Sequence, residues 1–368
     1  MNKMLKTIFV AGLCLVLIGS ISLFGCKKEA APAEEAVEAP AEEAPAEEEA
    51  VAAEVVAGGE SVFIPGLKAM PDIHIIFFSG GDPGDAYGGT VYKGAVDAQA
   101  ILGCKVDYVF SGWDSEKMTK QFREAVALKP DAICMMGHAG PEALTPIAEE
   151  ANAAGIYVQW LNVDNPEARA KFGGSFIGPN MLAQGEAVAA KVAEFASLKA
   201  GDAVIVVSDW KNPTRAIREQ VSVDYLEAKG FKVIKVNVTG EMGTNPELLI
   251  PELSGAYLAN PDVKAIIQPG NQALGATPMY FDAMNLQPGD ITVGGFGLDP
   301  TVLEVIKSGY VQVTAGQHGY MEGFLGIISA AMYLLYGYGT ITYDNSAALI
   351  TKDNYMDVEK TVNAGVGF

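Results

Sequence analysis

The chain contains no Cys-x-x-Cys pair, no His-Glu-x-x-His spacing and no Gly-x-Ser-x-Gly turn. The first two absences leave a zinc site without support, and the third removes the strained elbow that presents a serine nucleophile. Histidine is scarce, with three in 368 residues, so there is little material for general-base chemistry. Basic residues are few as well: 25 lysines and arginines face 45 acids, a net charge of −20. No basic stripe with interleaved aromatics occurs, and an acidic surface repels phosphate backbones, which excludes nucleic acid as a partner. Of four cysteines, Cys14 and Cys26 lie in the amino-terminal segment. Cys104 and Cys134 each fall in or at the start of an expected strand. One pair makes no disulfide framework, so both are expected as buried free thiols.

What is present is unevenly placed. The 49% hydrophobic content excludes a wholly disordered chain, and the length suits about two domains at roughly 100–200 residues each. Residues 1–25 carry Lys3, Lys6 and no acid, with an apolar run over 8–23 that reads as an export signal. The run ends in Leu23-Phe24-Gly25-Cys26, which resembles the lipobox of bacterial lipoproteins. That resemblance implies a signal peptide over 1–25 and lipidation of Cys26, which would hold the protein at a lipid membrane. Residues 26–66 form an expected tether: eleven glutamates and no basic residue fall within 29–60, among alanine and proline. Like charges repel and little can be buried, so this stretch is extended and can span tens of Å at roughly 3 Å per residue. Setting aside those glutamates and Lys3, Lys6, Lys27 and Lys28 leaves 34 acids and 21 bases, a charge of −13 on the folded part.

From residue 72 onward short apolar runs alternate with helical periodicity. The expected strands are 73–78, 105–110, 132–136, 156–161, 203–207, 232–238, 265–267, 292–295 and 312–315. Between them, sets such as Val91/Ala95/Ala98/Leu102 and Met118/Phe122/Ala125 place apolar residues on one helical face. The spacing is that of βαβ units, which build a parallel sheet covered on both faces. A break at 172–180 divides the units, so the fold class is α/β, with two doubly wound, Rossmann-like parallel-sheet lobes joined by a hinge. In such sheets ligands bind beyond the carboxyl ends of the strands.

The residues at those ends are therefore the candidate site. They include Asp85 and Tyr87 after the first strand, Trp113 after the second, His138 after the third, and Trp160 and Asn162 at the fourth. Trp210, Arg215, Asn271, Gly297 and Gln317 occupy the matching places in the second half. Rigid rings beside amides and carboxylates suit a molecule with an apolar face and a hydroxylated edge. Blander roles compete with several of these: Asp85 can cap the helix after it, Trp160 can belong to the core, and the histidines can bond backbone.

Over residues 70–340 the sequence resembles the type I periplasmic binding proteins, specifically the ribose-binding-like substrate-binding proteins of ABC importers. The carriers include Gly84-Asp85-Ala86-Tyr87 with Lys93-Gly94-Ala95, Lys129-Pro130-Asp131-Ala132, Ala154-Gly155-Ile156, Gln272-Ala273-Leu274-Gly275-Ala276, Gly294-Gly295-Phe296 and Gln317-His318-Gly319-Tyr320. The resemblance implies a first lobe of 67–178 plus about 317–340, and a second of 179–316 plus about 341–368. It implies hinge crossings near Gly178, Gln317 and 338–343. Tyr87 then stacks on a sugar, Gln317 closes the site at the hinge, and Arg215 or Arg218 supplies an arginine. Asn162 and Gly297 stand where the family commonly carries aspartates. The expected function is capture of a small polar solute, a carbohydrate first, for delivery to an ABC permease by a monomeric lipoprotein, with no cofactor, metal or covalent step. Nucleoside binding, with the three tryptophans sandwiching a base, and a ligand-sensing role are alternatives, and an envelope-anchored enzyme is a weaker one. The cleft is expected to be lined by aromatic and neutral polar groups.

Overall fold

The computed structural model describes residues 70 and 72–367, except 345, 347 and 348. The expected signal peptide, Cys26 and the tether lie outside the described residues. Twelve strands are described: β1 (His74–Gly80), β2 (Lys105–Phe110), β3 (Ala132–Met136), β4 (Tyr157–Leu161), β5 (Phe176–Gly178), β6 (Ala203–Ser208), β7 (Lys232–Asn237), β8 (Val263–Gln268), β9 (Thr292–Phe296), β10 (Val313–Ala315), β11 (Thr342–Asp344) and β12 (Leu349–Thr351). They form two sheets of six, in the orders β11-β5-β4-β3-β1-β2 and β12-β10-β9-β8-β6-β7. All neighbours are parallel except β10 and β12.

Strands covered on both faces need no polar side, which is why they read as continuous apolar runs. All five residues of β3 are sealed, as are Ile75 to Phe78 of β1 and Val204 to Val207 of β6. Each expected strand is present to within a few residues. The three that sequence reading missed, β5, β11 and β12, are three residues long and lie at or next to a sheet edge, too short to show a period. Cys104 and Cys134 are buried free thiols.

The helix Ala86–Leu102 is capped by the Asp85 side chain and ended by Gly103 in the left-handed region. Against it packs Gly319–Tyr336, the helix that follows β10. Their backbones approach closely because two glycines meet there. A Cβ on Gly323 would collide with the carbonyl oxygen of Val91, and one on Gly94 with that of Tyr320.

The chain changes sheet three times: after β5, after β10, and between β11 and β12. The third comes later than the expected boundary near 341, because 342–344 pairs with β5 and covers what would otherwise be an open edge. The crossings are tied to one another. Gln184 donates to the Gly316 carbonyl at 2.7 Å, and the Asn180 N–H faces Asp344 Oδ1 at 3.1 Å and Ser346 Oγ at 2.6 Å.

Two glycine substitutions separate close packing from helix propensity. Gly323→Ala is expected to cost roughly 1–3 kcal/mol, because a carbonyl cannot yield as a side chain can. Gly255→Ala, in the helix Ile250–Ala259 with open space around it, is expected to stabilise by about 0.5–1 kcal/mol. Denaturant unfolding of both variants measures the contrast; equal effects would remove the steric explanation.

Candidate functional site

The carboxyl ends of both sheets face a common cleft of about 1030 Å³, counted with its open mouth. Eight of the eleven strand-end candidates named from the sequence line it: Asp85, Tyr87, Trp113, His138, Asn162, Arg215, Asn271 and Gln317.

On the first-lobe wall Asp85 performs two tasks. Its Oδ1 accepts from the backbone N–H groups of Tyr87 and Gly88, capping the helix. Its Oδ2 accepts from the Trp113 indole at 3.1 Å and from the Gln272 amide of the other lobe at 3.1 Å. The Trp113 ring meets the edge of His138 at 5.1 Å between centroids and lies 6.2 Å from Tyr87. Burial, reinforced by the nearby Arg215 and Arg218 charges, drives the His138 imidazole down to about 3, so it is neutral at physiological pH. Its Nδ1 has no partner among the described residues.

At the back of the cleft, where the crossings lie, Asn162 adopts the left-handed backbone conformation (φ 58°). Its amino group contacts Tyr87 Oη at 2.8 Å, Gln317 Oε1 at 3.2 Å and Glu322 Oε2 at 3.2 Å. Tyr87 donates its hydroxyl to Glu322 Oε2 at 3.0 Å. Burial first, then the Glu322 charge and this bond, hold the Tyr87 phenol well above its ordinary value, so it stays protonated as a donor.

The second-lobe wall begins at the helix Ile217–Ala228. Arg218 donates through Nη2 to the Pro269 carbonyl at 3.1 Å, and its guanidinium lies 4.5 Å from the Phe296 ring centre. Its Nη1 is buried without a hydrogen-bond partner among the described residues, and the Glu219 carboxylate beside it is fully buried, with Ser208 near it. Arg218 and Glu219 stand 3.7 Å apart, an ion-pair distance too long for a hydrogen bond. Burial raises the Glu219 carboxyl, with Arg218 acting against it. Arg215 crosses the cleft, donating to the Trp113 carbonyl at 2.9 Å with its guanidinium 5.8 Å from that ring. Both arginines left open by sequence reading therefore reach the site. Asn271 is held by Asp299 at 3.1 Å. Its Oδ1 fills the place where a Cβ on Gly297 (φ 99°) would go, so no side chain can stand at 297 without displacing Asn271.

Two expectations are corrected. Trp160 is a core residue, 1% exposed and edge-on to Phe122, because its place in β4 turns it into the first-lobe core. Trp210 turns towards β7, donating its indole N–H to the Val236 carbonyl at 3.0 Å beneath Lys235. Only Trp113 among the tryptophans lines the cleft, so a sandwich of tryptophans is excluded. Nor is the lining neutral: Asp85, Asp209, Arg215, Arg218 and Glu219 all contribute to it.

Sequence reading missed Gln272, Glu219 and Glu322 as site residues. Gln272 and Glu219 follow directly on Asn271 and Arg218, which were singled out. Glu322 carried a separate signal, a lone acid among the apolar residues of the helix Gly319–Tyr336. Among the described residues, bonds that join the lobes across the cleft include Gln272 to Asp85, Arg215 to the Trp113 carbonyl, and the Thr214 hydroxyl to the His138 carbonyl at 2.9 Å. No group of three or more His, Cys, Asp or Glu side chains among the described residues could hold a metal ion.

Known proteins share this architecture. A family model described as a periplasmic binding protein domain matches residues 76–337. The xylose/arabinose-binding protein XylF of Sulfolobus acidocaldarius is 22% identical over 277 residues, 71% of this chain and 67% of its own. Among solved structures, an ABC transporter solute-binding protein from Burkholderia graminis, in complex with D-arabinose, superposes with a TM-score of 0.68 at 18% identity. It covers 77% of this chain and 96% of that one. A carbohydrate transporter protein from Acidothermus cellulolyticus, in complex with myo-inositol, gives 0.68 at 19% identity, over 80% and 99% of the two chains. At such identities these structures share the fold, and the family match extends over most of the chain: this protein belongs to the periplasmic binding protein family.

Proposed function

We propose that this protein is an extracytoplasmic solute-binding subunit that captures a sugar between its lobes and presents the closed form to an ABC permease. The observation that carries the reading is the unpartnered, buried Arg218 Nη1 beside Glu219, opposite the Trp113 and Tyr87 rings. A buried donor without a partner is costly, and a hydroxyl oxygen of a bound molecule would satisfy it. Relatives described as binding xylose and arabinose, or solved with D-arabinose and myo-inositol, support the same class of solute. Nucleoside binding loses its argument with Trp160 and Trp210 outside the cleft.

Capture requires no covalent step. The solute first bonds one lobe, and closure about the three crossings adds the contacts of the other. The closed population rises by the solute's differential affinity for it. The bonds from Gln272, Arg215 and Thr214 across the cleft favour the same closed arrangement. Delivery from a monomer held to the membrane through a lipid on Cys26 completes the reading; among the described residues no helix is long and apolar enough to cross a membrane.

A melting screen with xylose, arabinose, tagatose, fucose, myo-inositol, adenosine and inosine tests the solute class. At a hundredfold excess over Kd, binding adds about 2.7 kcal/mol, a readily measured rise in Tm. Sugars are expected to shift the protein and nucleosides are not; the reverse result removes the sugar reading. For the bound sugar, Trp113→Ala is expected to weaken affinity by on the order of tenfold or more, and Trp210→Ala by less than about twofold. Calorimetry with both variants decides whether the ring at 113 is the platform.

Export and anchoring have their own measurement. Metabolic labelling with an alkyne fatty acid is expected to mark the full chain, and Cys26→Ser to abolish the label and release the protein from the membrane fraction. Labelling that survives the substitution excludes Cys26 as the anchor.

A further inference from the structure

Glu322 is a fully buried acid at the back of the cleft, in the first turn of the helix Gly319–Tyr336. Burying a carboxylate is costly unless it is paired or hydrogen-bonded, and Glu322 spends its Oε2 on two side chains that line the cleft. It accepts from the Tyr87 hydroxyl and from the Asn162 amino group. That amino group also faces Gln317 Oε1 and Tyr87 Oη, so three oxygens surround one end of the Asn162 amide. Rotating the amide by half a turn would set its carbonyl oxygen against the Glu322 carboxylate and the Gln317 carbonyl. Acceptor would face acceptor, in a buried place where water cannot relieve the repulsion. The amide therefore has one orientation. Its Oδ1 points away from Glu322, and no described residue donates to it.

We infer that Glu322 is a positioning residue that locks the Asn162 amide, so that Asn162 presents only its carbonyl oxygen to the bound solute. Asn162 then serves as an acceptor for a solute hydroxyl while carrying no charge. An aspartate at 162 would place a second carboxylate against Glu322, so an amide is the side chain this pocket favours. Selectivity follows: the solute must offer a hydroxyl at this point, and an analogue lacking it leaves a desolvated oxygen unpaired. The inference rests on the cleft being the solute site.

The test is a charge swap, read by calorimetry with xylose or arabinose, whichever the melting screen shows bound. Asn162→Asp is expected to lose on the order of tenfold in affinity at pH 7, as two buried like charges meet. Adding Glu322→Gln restores one amide and one carboxylate to the pair, and is expected to bring affinity back to within about threefold of the unaltered protein. Asn162→Asp binding as tightly as the parent, or the double variant binding no better than Asn162→Asp, overturns the lock. Melting of the ligand-free proteins provides a reading that needs no solute: Asn162→Asp should lower Tm or prevent folding, and Glu322→Gln on top of it should recover most of the loss. Absence of that recovery also overturns the lock. If the parent binds no sugar, the sugar reading fails on its own, and the melting comparison still decides the lock.

Discussion

A strand can run parallel to its predecessor only after the chain has returned across a face of the sheet. This constraint organises the whole molecule. The returning helices cover both faces, so the strands are apolar throughout, and polar side chains that must stay near water are displaced to the strand ends. All the strands of the first sheet, and five of the six in the second, end on the same side. When two such sheets are joined by three crossings, their polar ends face one another across a cleft. The crossings then tie the lobes through Gln184, Asn180, Asp344 and Gln317, so that a small change in a few backbone torsions moves one wall against the other.

Within the cleft, side chains do double duty. Asp85 caps a helix with one oxygen and joins the lobes with the other. The capping role and the site role, which look like competing readings, are the same geometry, because a helix that follows a strand begins at the strand's carboxyl end. The charges of Arg218 and Glu219 are desolvated, so the unmatched Arg218 Nη1 is an energetic demand left at the cleft wall. On the other wall the Tyr87 hydroxyl and the Asn162 amino group are engaged by Glu322 and Gln317, which fixes both side chains and leaves the Asn162 carbonyl oxygen as the acceptor.

The legible parts of the sequence are those in which the signal is local. Strands β1 to β4 and β6 to β10 announce themselves as apolar runs at βαβ spacing, and their ends mark the cleft. Strands β5, β11 and β12 are defined by their neighbours instead of by any period of their own. The tryptophans show the same limit. All three stand at or near a strand end, yet a residue's distance from the end does not say which way its ring turns. Trp160 enters the core and Trp210 turns to β7 because those spaces are open to a large ring, which depends on packing from distant segments.

Composition, periodicity and motif order were enough to determine a doubly wound α/β fold and the strand-end loops that line the cleft, since each follows from residues within one or two elements of each other. Tertiary structure alone decided which rings line the cleft, that Asn271 occupies the space above Gly297, and that the Glu322 carboxylate stands behind Asn162, 160 positions away. The physical reason is common to these cases: hydrogen bonds and close packing act over a few ångströms in space, and separation along the chain does not record that distance.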